Sequence, residues 1–144
     1  MIALDTNVLI YAHREELPQH ALALASLNDA VDTGRPIGIP WPCVHEFLAV
    51  TTNRRAFSPP TPTDAAMRTV SELLASHNVR ALSEAPGHLE RMAMLIDRGH
   101  VAGPKIHDAR IAAICLGHGV EALWTADRDF SYFPELVTHN PLVA

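Results

Sequence analysis

LDTNVLI, residues 4–10, sets an aspartate, a threonine and an asparagine inside an otherwise apolar run. Met1 to Leu4 reads as the first strand of a buried sheet, and Asn7 to Ala12 as the start of a helix. A carboxylate is rarely buried without a partner. Asp5, directly after the strand, therefore asks either for a helix cap or for a site.

The same oddity returns three times. Glu46 interrupts an apolar helix expected over Cys43–Val50. Asp108 falls near the start of a helix over Pro104–Leu116 that is apolar on nearly every side. Asp127 follows a strand expected over Ala122–Thr125, with Asp129 two residues on. Taken singly, Asp5 or Asp127 can cap the next helix, Asp108 can act on a helix dipole, and Glu46 can pair with Arg54 or Arg55. Taken together, four acids on apolar elements point to one site. Two of them lie just beyond strand ends, the edge where open α/β sheets bind ligands near the reversal of strand order.

Coulomb's law then asks for a counterion. Two carboxylates ~4–5 Å apart repel by about 3–4 kcal/mol at an effective dielectric of ~20. Several together either take up protons or hold a cation. An all-oxygen ligand set selects hard ions, Mg²⁺ or Mn²⁺, over Zn²⁺. Such ions bind phosphate oxygens and acidify water, so phosphodiester hydrolysis is the natural chemistry.

The rest of the chain frames that site. Pro18 suits the first position of a second helix, which Leu24, Leu27 and Val31 continue to Thr33-Gly34. Pro36–Pro40 is a short strand. Thr61, Pro62 and Asp64 form a capping-box-like start for a helix with Ala66, Val70, Leu73 and Leu74 on its buried face. Val79–Leu82 reads as a strand, Leu89 to Ile96 as an amphipathic helix stopped near Gly99, and Val137–His139 as a last edge strand. Strands alternating with helices make an α/β protein with a mainly parallel sheet of four to five short strands.

The 144 residues, 48% apolar and 19% charged, suit one globular domain over 1–144. No apolar run approaches the ~18–20 residues of a membrane span, and no basic leader precedes the first strand, so neither membrane nor signal peptide is expected. Cys43 and Cys115 sit in apolar runs without metal-ligand spacing and read as buried thiols of a cytoplasmic protein. A net charge of −5 argues against a large nucleic-acid-coating surface and leaves room for a small basic groove.

With LDTNVLIYA, VHEFLAV and DARIAAICLGHGVEALWTADRDF in the order Asp-Glu-Asp-Asp, the chain resembles the PIN-domain family along essentially its full length. It looks most like the VapC-type toxin ribonucleases. The resemblance implies a PIN-like α/β/α sandwich and a Mg²⁺- or Mn²⁺-dependent endoribonuclease that cleaves RNA with a metal-activated water. It implies Asp5, Glu46, Asp108 and Asp127 as the catalytic, metal-binding quartet, Asp129 as a supporting ligand, and Asn7 and Thr125 as polar residues that orient the acids. It further implies a cognate VapB-like, DNA-binding antitoxin and a homodimer. Arg14, Arg54, Arg55, Lys105, Arg110 and Arg128 are candidates for a basic rim.

Alternatives within the family are a non-toxin RNA-processing nuclease and a non-catalytic RNA- or protein-binding module, although the latter is expected to lose acids that this chain keeps. A phosphatase with an aspartate nucleophile needs a second aspartate two residues on, where Asn7 stands. The nine histidines form no i, i+3 or i, i+4 pair, which excludes a helical zinc motif. Trp41 and Trp124 can stack on bases, but core or strand-end positions are the favoured reading. Met67, Met92 and Met94 are expected in the core.

Overall fold

A computed structural model describes residues 1–143. Its five strands are β1 (Ile2–Leu4), β2 (Ile37–Pro40), β3 (Val79–Leu82), β4 (Ala122–Trp124) and β5 (Thr138–His139). They pair in the order β3-β2-β1-β4-β5, and every pairing is parallel. All residues of β1 and β2 are buried, as expected of strands covered on both faces.

From β1 the chain winds outward through β2 and β3, then crosses back to lay β4 on the free side of β1. The gap between β1 and β4 is thus where strand order reverses. Helices α1 (Thr6–His13), α2 (His20–Asp32), α3 (Trp41–Thr51) and α4 (Thr63–Ala75) make one outer layer. Helices α5 (His88–Gly99) and α6 (Lys105–Gly117) make the other, and the molecule is an α/β/α sandwich. Ala109 and every residue from Ile111 to Cys115 are buried in α6, so the helix that reads as apolar all round is the most deeply packed. Both cysteines are buried free thiols.

Three local expectations fail for identifiable reasons. Pro18 lies in the turn before α2, which starts only at His20. The capping box at Thr61 does not form: α4 begins after Pro62 with no side-chain cap, because the Thr61 hydroxyl faces His13 at 3.0 Å and Arg14 at 3.1 Å instead. Met67 is 49% exposed on α4, while Met92 and Met94 pack against the core. The sequence reading also missed a 3₁₀ turn over Arg128–Tyr132, whose buried Phe130 anchors the segment after β4.

Gly38 lets β2 lie against the Leu82 side chain. A Cβ there would stand 2.5 Å from Leu82 Cδ1 and 2.8 Å from Cγ. Leu82 is itself fully buried and has nowhere to retreat. Gly38→Ala is expected to destabilise the fold by about 1–3 kcal/mol. In urea unfolding, combining it with Leu82→Ala should cost less than the sum of the two single changes; strict additivity would show that this contact is not the cause.

Candidate metal centre

Asp5 closes β1 and opens α1. Its N–H donates to the Trp124 carbonyl of β4 at 3.0 Å, and its carboxylate caps α1 by accepting the Thr6 N–H at 2.8 Å on Oδ1. The cap explanation is therefore correct, but it uses only part of the group. Oδ2 accepts the Thr125 hydroxyl at 2.7 Å and the Asn7 amide at 3.3 Å, and the Cys43 thiol lies 3.5 Å from Oδ1. Asp5 is only 4% exposed. Burial pushes its carboxyl above the usual range, the bonds from Thr125, Thr6 and Cys43 oppose this, and the Glu46 charge adds to it.

Thr125, just past β4, ties this corner together. Its hydroxyl donates to Asp5 and accepts from Asn7 Nδ2 at 3.2 Å and from the Asp127 N–H at 3.0 Å. The Asn7 side-chain carbonyl accepts the Ala126 N–H at 3.1 Å. Asn7 and Thr125 thus bridge the ends of β1 and β4 and fix the chain that carries Asp127.

Beyond this bridge three more acids meet. One ligand atom each from Asp108, Asp127 and Asp129 lie within 4.8 Å of one another. Asp127 accepts the Asp129 N–H at 2.8 Å and so caps the 3₁₀ turn, while Asp108 projects from the first turn of α6. Burial raises the Asp108 carboxyl to about 6, helped by the charges of Asp127, Asp129 and Asp5 and opposed by Lys105. Glu46, on α3, accepts the Thr6 hydroxyl at 2.9 Å and lines, with Asp108, a cleft of about 420 Å³ between α3 and α6.

The structure therefore gathers Asp108, Asp127 and Asp129 tightly, sets Asp5 behind them within reach of the Asp108 charge, and places Glu46 across the cleft. Asp129, expected only as a supporter, belongs to the tight group. Thr6 was missed as the partner of Glu46; its place beside Asp5 in the opening stretch was the available signal. Of the basic candidates, Lys105 meets Asp129 at 3.3 Å and lies over the Tyr132 ring, and Arg110 pairs with Glu84. Arg14 turns away, donating to Thr61 and the Pro59 carbonyl and covering Phe57. No ion pair joins Glu46 to Arg54 or Arg55 among the described residues.

The clustered donors suit a hard divalent ion. All are carboxylate oxygens, with no imidazole or thiolate in the group. Lys105 offsets one of the negative charges and leaves the others in mutual repulsion. Cys43, the nearest thiol, is buried, and burial with the Asp5 charge pushes its pKa well above the usual value, so it stays protonated.

Residues 2–136 match the sequence model of the PIN domain. The chain is 35% identical over 143 residues to ribonuclease VapC43 of Mycobacterium tuberculosis, covering 99% of this chain and 96% of that one. It is 34% identical over 142 residues to ribonuclease VapC33 of the same organism, covering 99% of each. Among solved structures, VapBC2 from Rickettsia felis, bound to a DNA fragment from its promoter, contains a chain that superimposes with a TM-score of 0.70 at 16% identity, covering 97% of this chain and 98% of that one.

The raised Asp108 carboxyl gives a pH signature. Its folded value, about 6, lies above the ordinary 3.8, so the folded protein binds this proton more tightly than the unfolded chain. The group favours folding below about pH 4, and that contribution is lost as pH rises through about 6. In chelator, the melting temperature of the wild type relative to Asp108→Asn should fall between about pH 4 and 7 and then level off. A difference independent of pH would contradict the assigned environment. Mg²⁺ or Mn²⁺ at neutral pH should raise the wild-type value more than that of the variant.

Proposed function

The chain belongs to the PIN-domain family, among its VapC-type toxins, and from that membership we propose that it is the endoribonuclease of a toxin–antitoxin pair, hydrolysing RNA phosphodiester bonds with Mg²⁺ or Mn²⁺. The single observation that carries this reading is the acidic group of Asp108, Asp127 and Asp129, set against buried Asp5 where strand order reverses. Asp5, Glu46, Asp108 and Asp127 are the proposed catalytic acids, and the same four with Asp129 are the proposed cation ligands. Residues 1–144 are taken as one such domain.

A bound divalent ion supplies Lewis acidity at the scissile phosphate and lowers the pKa of water there. The residues supply geometry and proton acceptance. Asp5 is locked by donors on both oxygens, so the charge it presents cannot swing away. Asn7 and Thr125 hold that orientation and, through the Asp127 N–H, the spacing between the β1 and β4 acids. Glu46 is pinned through Oε2 by Thr6, which leaves Oε1 to take a proton from the attacking water. RNA is a polyanion, so these acids admit it only when a cation offsets their charge, and binding of ion and substrate is coupled. The buried, protonated Cys43 is no rival nucleophile.

VapC43 and VapC33 are named ribonucleases, and the Rickettsia complex is a VapBC pair on promoter DNA. By that likeness this chain is proposed to act on RNA and to be neutralised by a DNA-binding VapB-like antitoxin; that it works as a homodimer in the cytoplasm is proposed from the family resemblance alone. No helix among the described residues is long and apolar enough to cross a membrane.

Asp5→Asn and Asp108→Asn should each lower Mg²⁺- or Mn²⁺-dependent RNA cleavage on the order of 100-fold or more while circular dichroism stays native-like. Thr125→Val, which removes only the orienting hydroxyl, should cost about 10- to 100-fold. Undiminished cleavage by both Asn variants would overturn the assignment.

A further inference from the structure

Trp41 begins α3 directly where β2 ends at Pro40, at the same carboxyl edge of the sheet as Asp5. The favoured expectation was a core or strand-end position. Trp124 meets it at the end of β4; Trp41, just past the end of β2, is outside the core and 38% exposed. Its ring lies against the His45 imidazole one helical turn on, with centroids 6.1 Å apart and planes inclined by 48°. His45 in turn lines the cleft that holds Glu46 and Asp108, beside Pro42, while His107 and Arg110 come from the α6 wall. An exposed indole therefore stands next to the cleft at which the scissile phosphate is proposed to sit, in contact with one of its lining residues, His45.

The exposed part of the indole takes no part in core packing. Leaving part of an indole in water forfeits burial free energy, and Trp41 adjoins two residues of the cleft wall, Pro42 in sequence and His45 by ring contact. A nucleobase laid on the exposed indole would cover it, with its phosphate on the side of the cleft. Every base has a π-face, so such a contact tolerates many sequences, but it requires a base that is unpaired and unstacked from its neighbours.

We propose that Trp41, supported by His45, is a stacking platform for one nucleobase of single-stranded or looped RNA beside the scissile phosphate. The proposal rests on the endoribonuclease reading and adds to it one residue that contacts the substrate, Trp41.

The test uses the full chain carrying Asp108→Asn to prevent cleavage and Trp124→Phe to leave Trp41 as the only indole, with Mg²⁺ present. The probes are octaadenylate, octauridylate and an octamer of abasic ribose phosphates. Saturation with octaadenylate should quench Trp41 emission, octauridylate should quench it less, and the abasic octamer should leave it unchanged. Trp41→Ala should weaken octaadenylate binding about 5- to 100-fold and leave binding of the abasic octamer unaltered, while Trp41→Phe keeps most of the affinity. Equal affinities for wild type and Trp41→Ala, or unchanged emission at saturation, would overturn the platform. A change in oligomeric state of Trp41→Ala in sedimentation would also overturn it, by making Trp41 an interface residue. Quenching by octaadenylate in a protein whose wild-type form cleaves no RNA would uphold the platform and refute the nuclease reading instead.

Discussion

The 2.7 Å hydrogen bond from the Thr125 hydroxyl to Asp5 spans the gap between β1 and β4, and the arrangement of the site follows from it. Parallel strands that wind one way and then the other leave their carboxyl ends apart at the point of reversal. Here that opening is only one strand spacing wide, and it is crossed by side chains rather than covered by a crossover. Asp5 supplies the charge, Asn7 and Thr125 the bridge, and the segment after Thr125 the next acid. Because Asp5 is buried, its charge persists only while these donors face it.

The outer acids show the opposite balance. Asp108, Asp127 and Asp129 face one another with Lys105 as a partial counterion, and Asp108 is pushed toward protonation by burial and by its neighbours. An inner carboxylate made rigid by hydrogen bonds, behind outer ones held in repulsion, is an arrangement that a small divalent ion relieves. The polar partners fix orientation and the unrelieved charge provides affinity.

Most of this was legible in the residues, and the failures are instructive. The five strands and the helices showed because hydrophobic period and chain punctuation are local signals, and the acids showed because each broke an apolar run. The place of Asp129 depends on the 3₁₀ turn that Asp127 caps, which no periodic pattern announces. The capping box at Thr61 failed because His13 and Arg14, distant in sequence, compete for the hydroxyl. Arg14, a candidate for the rim, faces Thr61 and Pro59 instead, since it follows the far end of α1 from Asp5. The exposure of Trp41 was not legible: at a helix start just past a strand end, one aromatic residue does not say which face it will show.

The central claim is that these carboxylates form one cation site. Crystals soaked in Mn²⁺ and measured at wavelengths sensitive to that metal test it most directly. The account predicts one or more anomalous peaks among the carboxylate oxygens of Asp5, Asp108, Asp127 and Asp129, at about 2.0–2.4 Å from the ligating atoms. Mn²⁺ bound only elsewhere, with that space holding water alone, would contradict it.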